Sequence, residues 1–583
     1  MRTMATLTLP DSPATAPSSP STRPTSLMEN EKVRSGARRL GVIAFAAFLA
    51  YLVILPIVRL QATAFEDGGA GFTRAFGLDR IGQILKYTVG LAIGSVVIAM
   101  VLGTALAWAA SRLPRRLEFL RILPILPIVI PAVAAIAGWA FLLSPRPGYL
   151  NAALRNLPWW SHLEEGPVDV YSIQWIVIIT GFSLSSFVYM FVSSGFSNIN
   201  SEMLEAAQVS GMPEWKVFFR VTLPLLRPTL IYGGGVALLL GLGQFTGPLL
   251  LGTNSGVSVL TTEMYFQISD SPAQFATAAA LGSPLLFAGI AVVFAQKAML
   301  GNQKRFVTHG GKAFRSQGRP SRVGAGLIVI FSLLSTVLPI LALAFVSLSR
   351  YWRGSIDLST LTVDNFRTVF STTAVPSAIT NSLVFSLGSM AIALPLGFVA
   401  ASLIVRGVRY PALRVLVDVL VSMPLGVPAV IFGAAFLLTY TEGPIVLYGT
   451  PWVVILVYVT LMLPFATRMQ LATMLALGDS YLEASRVSGA GFLRTNTRIL
   501  LPLMRGSLGG TAALIFVLLT HEFTASLLVR ASKTQVMGTV LFDAWSNGSY
   551  PLVAAVALIM TGVTAVGVCA AMLVGGADSL SKM

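Results

Sequence analysis

The sequence predicts an all-α polytopic membrane protein built from two homologous six-helix halves, with about twelve spans in all, and three observations carry this prediction. The chain is 55% hydrophobic and only 11% charged. Its apolar stretches recur at lengths of about 20 residues, enough for a helix to cross roughly 30 Å of hydrocarbon. One polar segment, "LEAAQVSGMPEWKVFFRVTLPLLRP" from Leu204, returns as "LEASRVSGAGFLRTNTRILLPLMRG" from Leu482.

In chain order, residues 1–38 open with a Pro-, Ser- and Thr-rich stretch that has no apolar core. They are expected to form a disordered cytoplasmic tail, not a signal peptide. The first half, 39–298, holds spans expected near 39–60, 84–110, 119–143, 172–194, 229–251 and 275–298. A basic linker, 299–322, leads to the second half, 323–575, with spans near 323–348, 381–405, 413–439, 451–475, 507–529 and 551–575, and a short tail, 576–583.

Orientation follows from the basic residues, since short loops rich in Lys and Arg stay on the cytoplasmic side. Lys32, Arg34, Arg38 and Arg39 precede the first span, and Arg112, Arg115, Arg116 and Arg121 follow the second. The linker contributes Lys304, Arg305, Lys312, Arg315, Arg319 and Arg322 without an acid, whereas 253–274 holds Glu263 and Asp270 without a base. Both termini and both copies of the polar segment are therefore expected in the cytoplasm. The net charge of +16 is spread over alternate loops, so it marks topology and no nucleic-acid partner.

The lone Cys569 cannot form an internal disulfide, and His162, His309 and His521 are too far apart in sequence to give a ligand spacing, so no metal site is expected. The duplication is ungapped across the polar segments: Glu205 and Glu483, Gly211 and Gly489, and Pro224 and Pro502 are each 278 residues apart. "GQFTGPLLLG" from Gly243 falls on "HEFTASLLVR" from His521 at the same offset, and "PIVIPAV" from Pro127 resembles "PLGVPAV" from Pro424. Six spans per half give both halves the same orientation, so a pseudo-twofold axis along the membrane normal should relate them, with a translocation path at the shared surface.

Glu-Ala-Ala, three residues, Gly, nine residues, an aliphatic, one residue and Leu-Pro is a pattern that resembles the EAA loop of the inner-membrane permeases of binding-protein-dependent ABC importers. The first copy supplies Glu205, Ala206, Ala207, Gly211, Val221, Leu223 and Pro224; the second supplies Glu483, Ala484, Ser485, Gly489, Ile499, Leu501 and Pro502. Ser485 replaces the second Ala, and Val221 the usual Ile. The resemblance covers roughly 84–298 and 381–575 and implies a type I ABC importer permease fold in a prokaryotic inner membrane. It also implies that each loop is a coupling helix docked on one of two ATP-binding subunits, with an extracytoplasmic binding protein delivering the substrate.

The residues suit that role. Leu204 to Ser210 is good helix-forming sequence, Ala permits close approach of a partner, and Gly211 can end the helix in a left-handed conformation. A helix lying at the bilayer surface is the plainer alternative, but two copies at identical spacing on one side weigh against it. No Walker A sequence is present, so the ATPase, with its ATP and Mg, is expected on a separate protein, and this chain is not expected to be an enzyme. After Gly211 the first loop offers Glu214, Trp215 and Lys216, where the second offers Phe492, Leu493 and Arg494. Trp215 is the strongest candidate anchor, because buried aromatics dominate interfaces.

A second resemblance concerns the substrate. "EFTASLLVRASKTQVMGTVLFDAWSNGSY" from Glu522 and "FLLSPRPGYLN" from Phe141, in a fused two-half chain, look like the ferric-iron type of permease, whose relatives also carry thiamine, polyamines or phosphonates. Members of that group carry an Arg before the Glu, where this chain has His521. Glu522 is expected in the outer half of the eleventh span, where an unpaired charge costs on the order of 3 kcal/mol, so it should face the bundle interior, water or a partner. Gln244 is its counterpart in the first half, and with His521 these residues are the candidate substrate path. Asp418 is expected to pair with Arg414, one turn away on the same helix. A rival of another class is a twelve-span secondary transporter driven by an ion gradient, which would need more buried charge than Glu522 supplies and would leave the duplicated loops without a task.

Overall fold

The computed structural model describes residues 25–197, 199, 201–300, 321–406, 411–442, 444–478 and 480–575. Most of the basic linker and the tails at 1–24 and 576–583 lie outside the described residues. The first helix begins at Thr25, inside the segment expected to be a disordered tail.

Among the described residues, eight helices are long and apolar enough to cross a membrane unbroken, and four bent pairs bring the total to twelve if each pair is one span. Numbered in chain order, the first half holds α1 (Arg39–Ala64), α2 (Ile81–Ser111), α3 (Arg115–Val129 with Ala132–Leu143), α4 (Ile173–Phe196), α5 (Glu214–Leu225 with Arg227–Leu242) and α6 (Phe275–Leu300). The second half holds α7 (Arg322–Ser347), α8 (Ala374–Val405), α9 (Pro411–Gly426 with Ala429–Thr441), α10 (Pro451–Leu477), α11 (Asn496–Leu503 with Arg505–Thr520) and α12 (Tyr550–Ala570). The bent pairs fall at equivalent places: α3 turns by 95° and α9 by 109°, α5 by 72° and α11 by 68°.

Two spans expected to be continuous, 119–143 and 413–439, are therefore broken, and two more helices bend just ahead of the spans expected at 229–251 and 507–529, for identifiable reasons. In α3 and α9 the break lies at Ile130-Pro131 and Val427-Pro428, where proline forces the preceding residue out of the helical region. Ile130 has ψ 128° and Val427 ψ 121°, both extended. The bends in α5 and α11 follow the Leu-Pro of the repeated motif. Pro224 and Pro502 have no N–H to donate, and the turn before each widens so that Leu223 N–H reaches back to Phe218 O and Leu501 N–H to Asn496 O. The spans expected at 229–251 and 507–529 also stop short. α5 ends at Leu242 and α11 at Thr520, and both are followed by irregular backbone.

The duplication holds element by element. The main segments of α5 and α11, Arg227–Leu242 and Arg505–Thr520, start and end at the same 278-residue offset as the sequence motif. The first helix of each half crosses to the other half. α1 packs on α9 and α6, and α7 packs on α3 and α12, so the repeat carries one set of neighbours onto the other. The halves meet closely where α6 passes the break in α9, with no side chain between the backbones: a Cβ on Gly289 would overlap the carbonyl oxygen of Gly426.

Candidate functional site

The two duplicated loops lie between α4 and α5 and between α10 and α11. Each contains a short helix, Ser201–Val209 and Ser480–Val487. Gly211 at φ 78° and Gly489 at φ 73° end these helices, in the left-handed region that glycine enters without steric cost. Around Gly211 the hydrogen bonds form a Schellman cap: Gly211 N–H donates to Gln208 O at 2.9 Å and Met212 N–H to Ala207 O at 3.3 Å. The second loop repeats the longer bond, with Ala490 N–H donating to Ser485 O at 3.0 Å.

The helix faces sort by position. Ala207 and Ser485 are buried, whereas Ala206, Glu483 and Ala484 are exposed and Glu205 is half-buried. Val209 and Val487 occupy the same repeat position and are 89% and 91% exposed. Each valine thus stands in solvent at an equivalent site, with an exposed alanine on the same short helix. Sequence reading missed this pair because a lone valine in a helical segment carries no signal until its face is known.

The departure at Ser485 now has a cause. Ser485 Oγ lies 2.7 Å from Thr495 Oγ1, buried beneath the helix. The equivalent positions in the first half are the buried, apolar Ala207 and Val217. Both members of the pair differ together, which exchanges apolar packing for a hydrogen bond and leaves no polar atom stranded. The loops differ in another way. Glu214 forms an ion pair with Arg112 at the end of α2, at 2.8 Å, and the Arg112 guanidinium sits 4.3 Å above the Trp108 ring. Glu214 thus anchors the first loop to its own half, while Trp215, 62% exposed with Lys216 over its face, stays open to solvent.

The path candidates lie at the other end of α5 and α11, where those helices stop. Glu522 follows the end of α11 and turns its carboxylate onto the next short helix, Thr524–Val529. It accepts from Ala525 N–H at 2.7 Å, Ser526 N–H at 3.0 Å and Ser526 Oγ at 2.6 Å. A carboxylate is favourably placed at a helix N-terminus, and three donors counter part of the cost of its removal from water. Ser526 Oγ is also 2.8 Å from Tyr458 Oη of α10. In the first half Gln244 Oε1 accepts from Phe245 N–H at 3.2 Å, while Gln244 O accepts from Thr261 Oγ1 at 2.6 Å. These two residues therefore shape the turns that end their spans. Among the described residues the buried Nε2 of His521 has no hydrogen-bond partner, and it does not pair with Glu522. Beside Gln244 a cavity of about 50 Å³, lined in part by Trp139, Thr180, Ser183 and Ser335, has room for a few waters. Asp418 does not pair with Arg414. It lies 2.9 Å from Arg468 and ties α9 to α10.

A family model described as the binding-protein-dependent transport system inner membrane component matches residues 87–300 and 393–576, one segment in each half. The chain belongs to this family. The permease is 24% identical over 550 residues to the "Ferric transport system permease protein FbpB" of Actinobacillus pleuropneumoniae, a match that covers 90% of this chain and 76% of the relative. It is 26% identical over 510 residues to the "Putative ferric transport system permease protein FbpB 1" of Haemophilus influenzae, covering 83% and 77%. It is also 28% identical over 260 residues to the "Sulfate transport system permease protein CysW" of a Synechocystis species, covering 43% of this chain and 88% of that one. The permease is thus a multi-pass inner-membrane component of an ABC importer, and its relatives are membrane components, not enzymes.

Proposed function

We propose that the permease passes ferric iron, handed over by an extracytoplasmic binding protein, across the inner membrane, driven by two separate ATP-binding subunits. The observation that carries the choice of iron is the extent of the likeness. The ferric relatives align with both fused halves, whereas the sulfate relative spans less than half of the chain. Thiamine, polyamines and phosphonates are the other substrates to be tested.

In this reading both duplicated loops are cytoplasmic, as the distribution of Lys and Arg favours, and so are both termini. One ATP-binding subunit docks on Glu205 to Gly211 with Trp215 as an anchor, and the other on Glu483 to Gly489. ATP and Mg belong to those subunits. Gln244, His521 and Glu522 border the path at the seam, and the binding protein holds the cargo, so the path need bind it only in passing.

The test is uptake by proteoliposomes holding the permease with its ATP-binding subunits, supplied with its binding protein. ATP-dependent accumulation of radiolabelled ferric iron is expected, without accumulation of sulfate, thiamine, spermidine or phosphonate. Accumulation of one of those instead, with no iron, overturns the choice of cargo.

A further inference from the structure

Four aromatic side chains close on one another where the halves meet, two from each half. Phe245 and Phe523 stack with ring centroids 5.9 Å apart, and they are the pair that the internal repeat superposes. Phe245 lies 5.7 Å from Tyr265, Phe523 lies 5.7 Å from Phe542, and Tyr265 meets Phe542 edge to face at 6.2 Å. The circuit is complete, since within it each ring touches one ring of its own half and one of the other. Phe245 and Phe523 are 1% and 3% exposed, and Tyr265 and Phe542 are half-buried.

Each pair is fixed to its own half. Tyr265 stands on the helix Leu260–Ser269, whose Leu260 N–H donates to Thr88 Oγ1 of α2 at 2.9 Å. Phe542 stands on Met537–Ser546, whose Met537 N–H donates to Ser382 Oγ of α8, also at 2.9 Å. Gln244 and Glu522, one residue before Phe245 and Phe523, shape the turns that aim those rings across the seam.

From this geometry we infer that Phe245, Tyr265, Phe523 and Phe542 form a two-leaf apolar seal across the path that keeps small ions from leaking between the halves. The inference rests on the permease reading above. An apolar constriction excludes hydrated ions because water does not wet it. When the halves part, the one contact inside each half survives, and only Phe245 with Phe523 and Tyr265 with Phe542 separate. The seal thus opens as two preassembled leaves and closes again without repacking.

The leak is measured on the full-length chain alone in liposomes, without cargo, ATPase or binding protein, so its outcome is independent of what the permease imports. Phe245→Ala with Phe523→Ala is expected to raise potassium efflux at least about tenfold over the unaltered chain. Phe245→Leu with Phe523→Leu, which keeps apolar bulk in the gap, is expected to stay within about twofold. A folded alanine variant as tight as the unaltered chain overturns the seal. Should the alanine variant not fold, Phe245→Cys with Phe523→Cys decides, in a Cys569→Ser background that removes the lone native thiol. A short, reducible bifunctional thiol reagent should link the two and stop ATP-driven uptake until reductant is added. Failure of the thiols to link, or undiminished uptake once linked, contradicts the inference.

Discussion

Replacing either Gly211 or Gly489 by proline is expected to lower ATP-driven uptake at least about tenfold, even with the other loop intact, because the halves must move together around one path. Both glycines hold positive φ, 78° and 73°, where proline, fixed near about −65°, cannot follow. Gly211→Pro also removes the N–H that donates to Gln208 O, so the Schellman cap is lost and the loop helix leaves at another angle. Alanine is the informative comparison. A Cβ at either position meets nothing within 4 Å, so Gly211→Ala carries only the left-handed penalty of about 1–2 kcal/mol. It should retain much of the uptake. Near-normal transport by either proline variant, at equal expression with the ATP-binding subunits present, would contradict joint drive through two docked loops.

Gly289→Ala should be among the most destabilising single-methyl changes in the chain, at about 3 kcal/mol. Overpacking of this kind commonly costs 1–3 kcal/mol, and the upper end applies when the neighbour cannot yield. Here the neighbour is the backbone carbonyl of Gly426, at the proline-enforced break of α9, so no rotamer change relieves the overlap. The control is Gly562→Ala in α12, where the added carbon meets open space and alanine is the better helix former. Thermal unfolding in detergent should show a lowered midpoint for Gly289→Ala and an unchanged or raised one for Gly562→Ala. Equal midpoints would mean that α6 and α9 do not meet backbone to backbone.

Much of the architecture was legible because it rests on local rules. Apolar length marked the spans, and an ungapped repeat with glycine at the same place in both copies marked the loops. The breaks were only half legible. Pro131 and Pro428 carry a signal that a scan for apolar length passes over, since proline and the residues around it are themselves apolar. The stops at Leu242 and Thr520 carry no such signal, because Gln244 and Glu522 set them through hydrogen bonds that exist only once the chain has turned. Long-range pairing was not legible at all. Asp418 had a plausible partner one turn away in Arg414, yet it chose Arg468 on α10. The matching of Phe245 with Phe523 was visible as an offset, but that two equivalent residues also touch follows from their place at the seam. The exchange of α1 and α7 between halves likewise depends on which surfaces are left uncovered, which no local pattern records.

The most direct test of the central claim is the energy source. Proteoliposomes holding the permease are loaded with ATP and supplied with charged binding protein, and uptake is followed with and without the ATP-binding subunits, under an imposed proton or sodium gradient or none. Uptake is expected only when the ATP-binding subunits and ATP are both present, and it should be indifferent to the gradient. Uptake driven by an ion gradient in the absence of those subunits would contradict an ATP-driven importer and make the permease a secondary transporter.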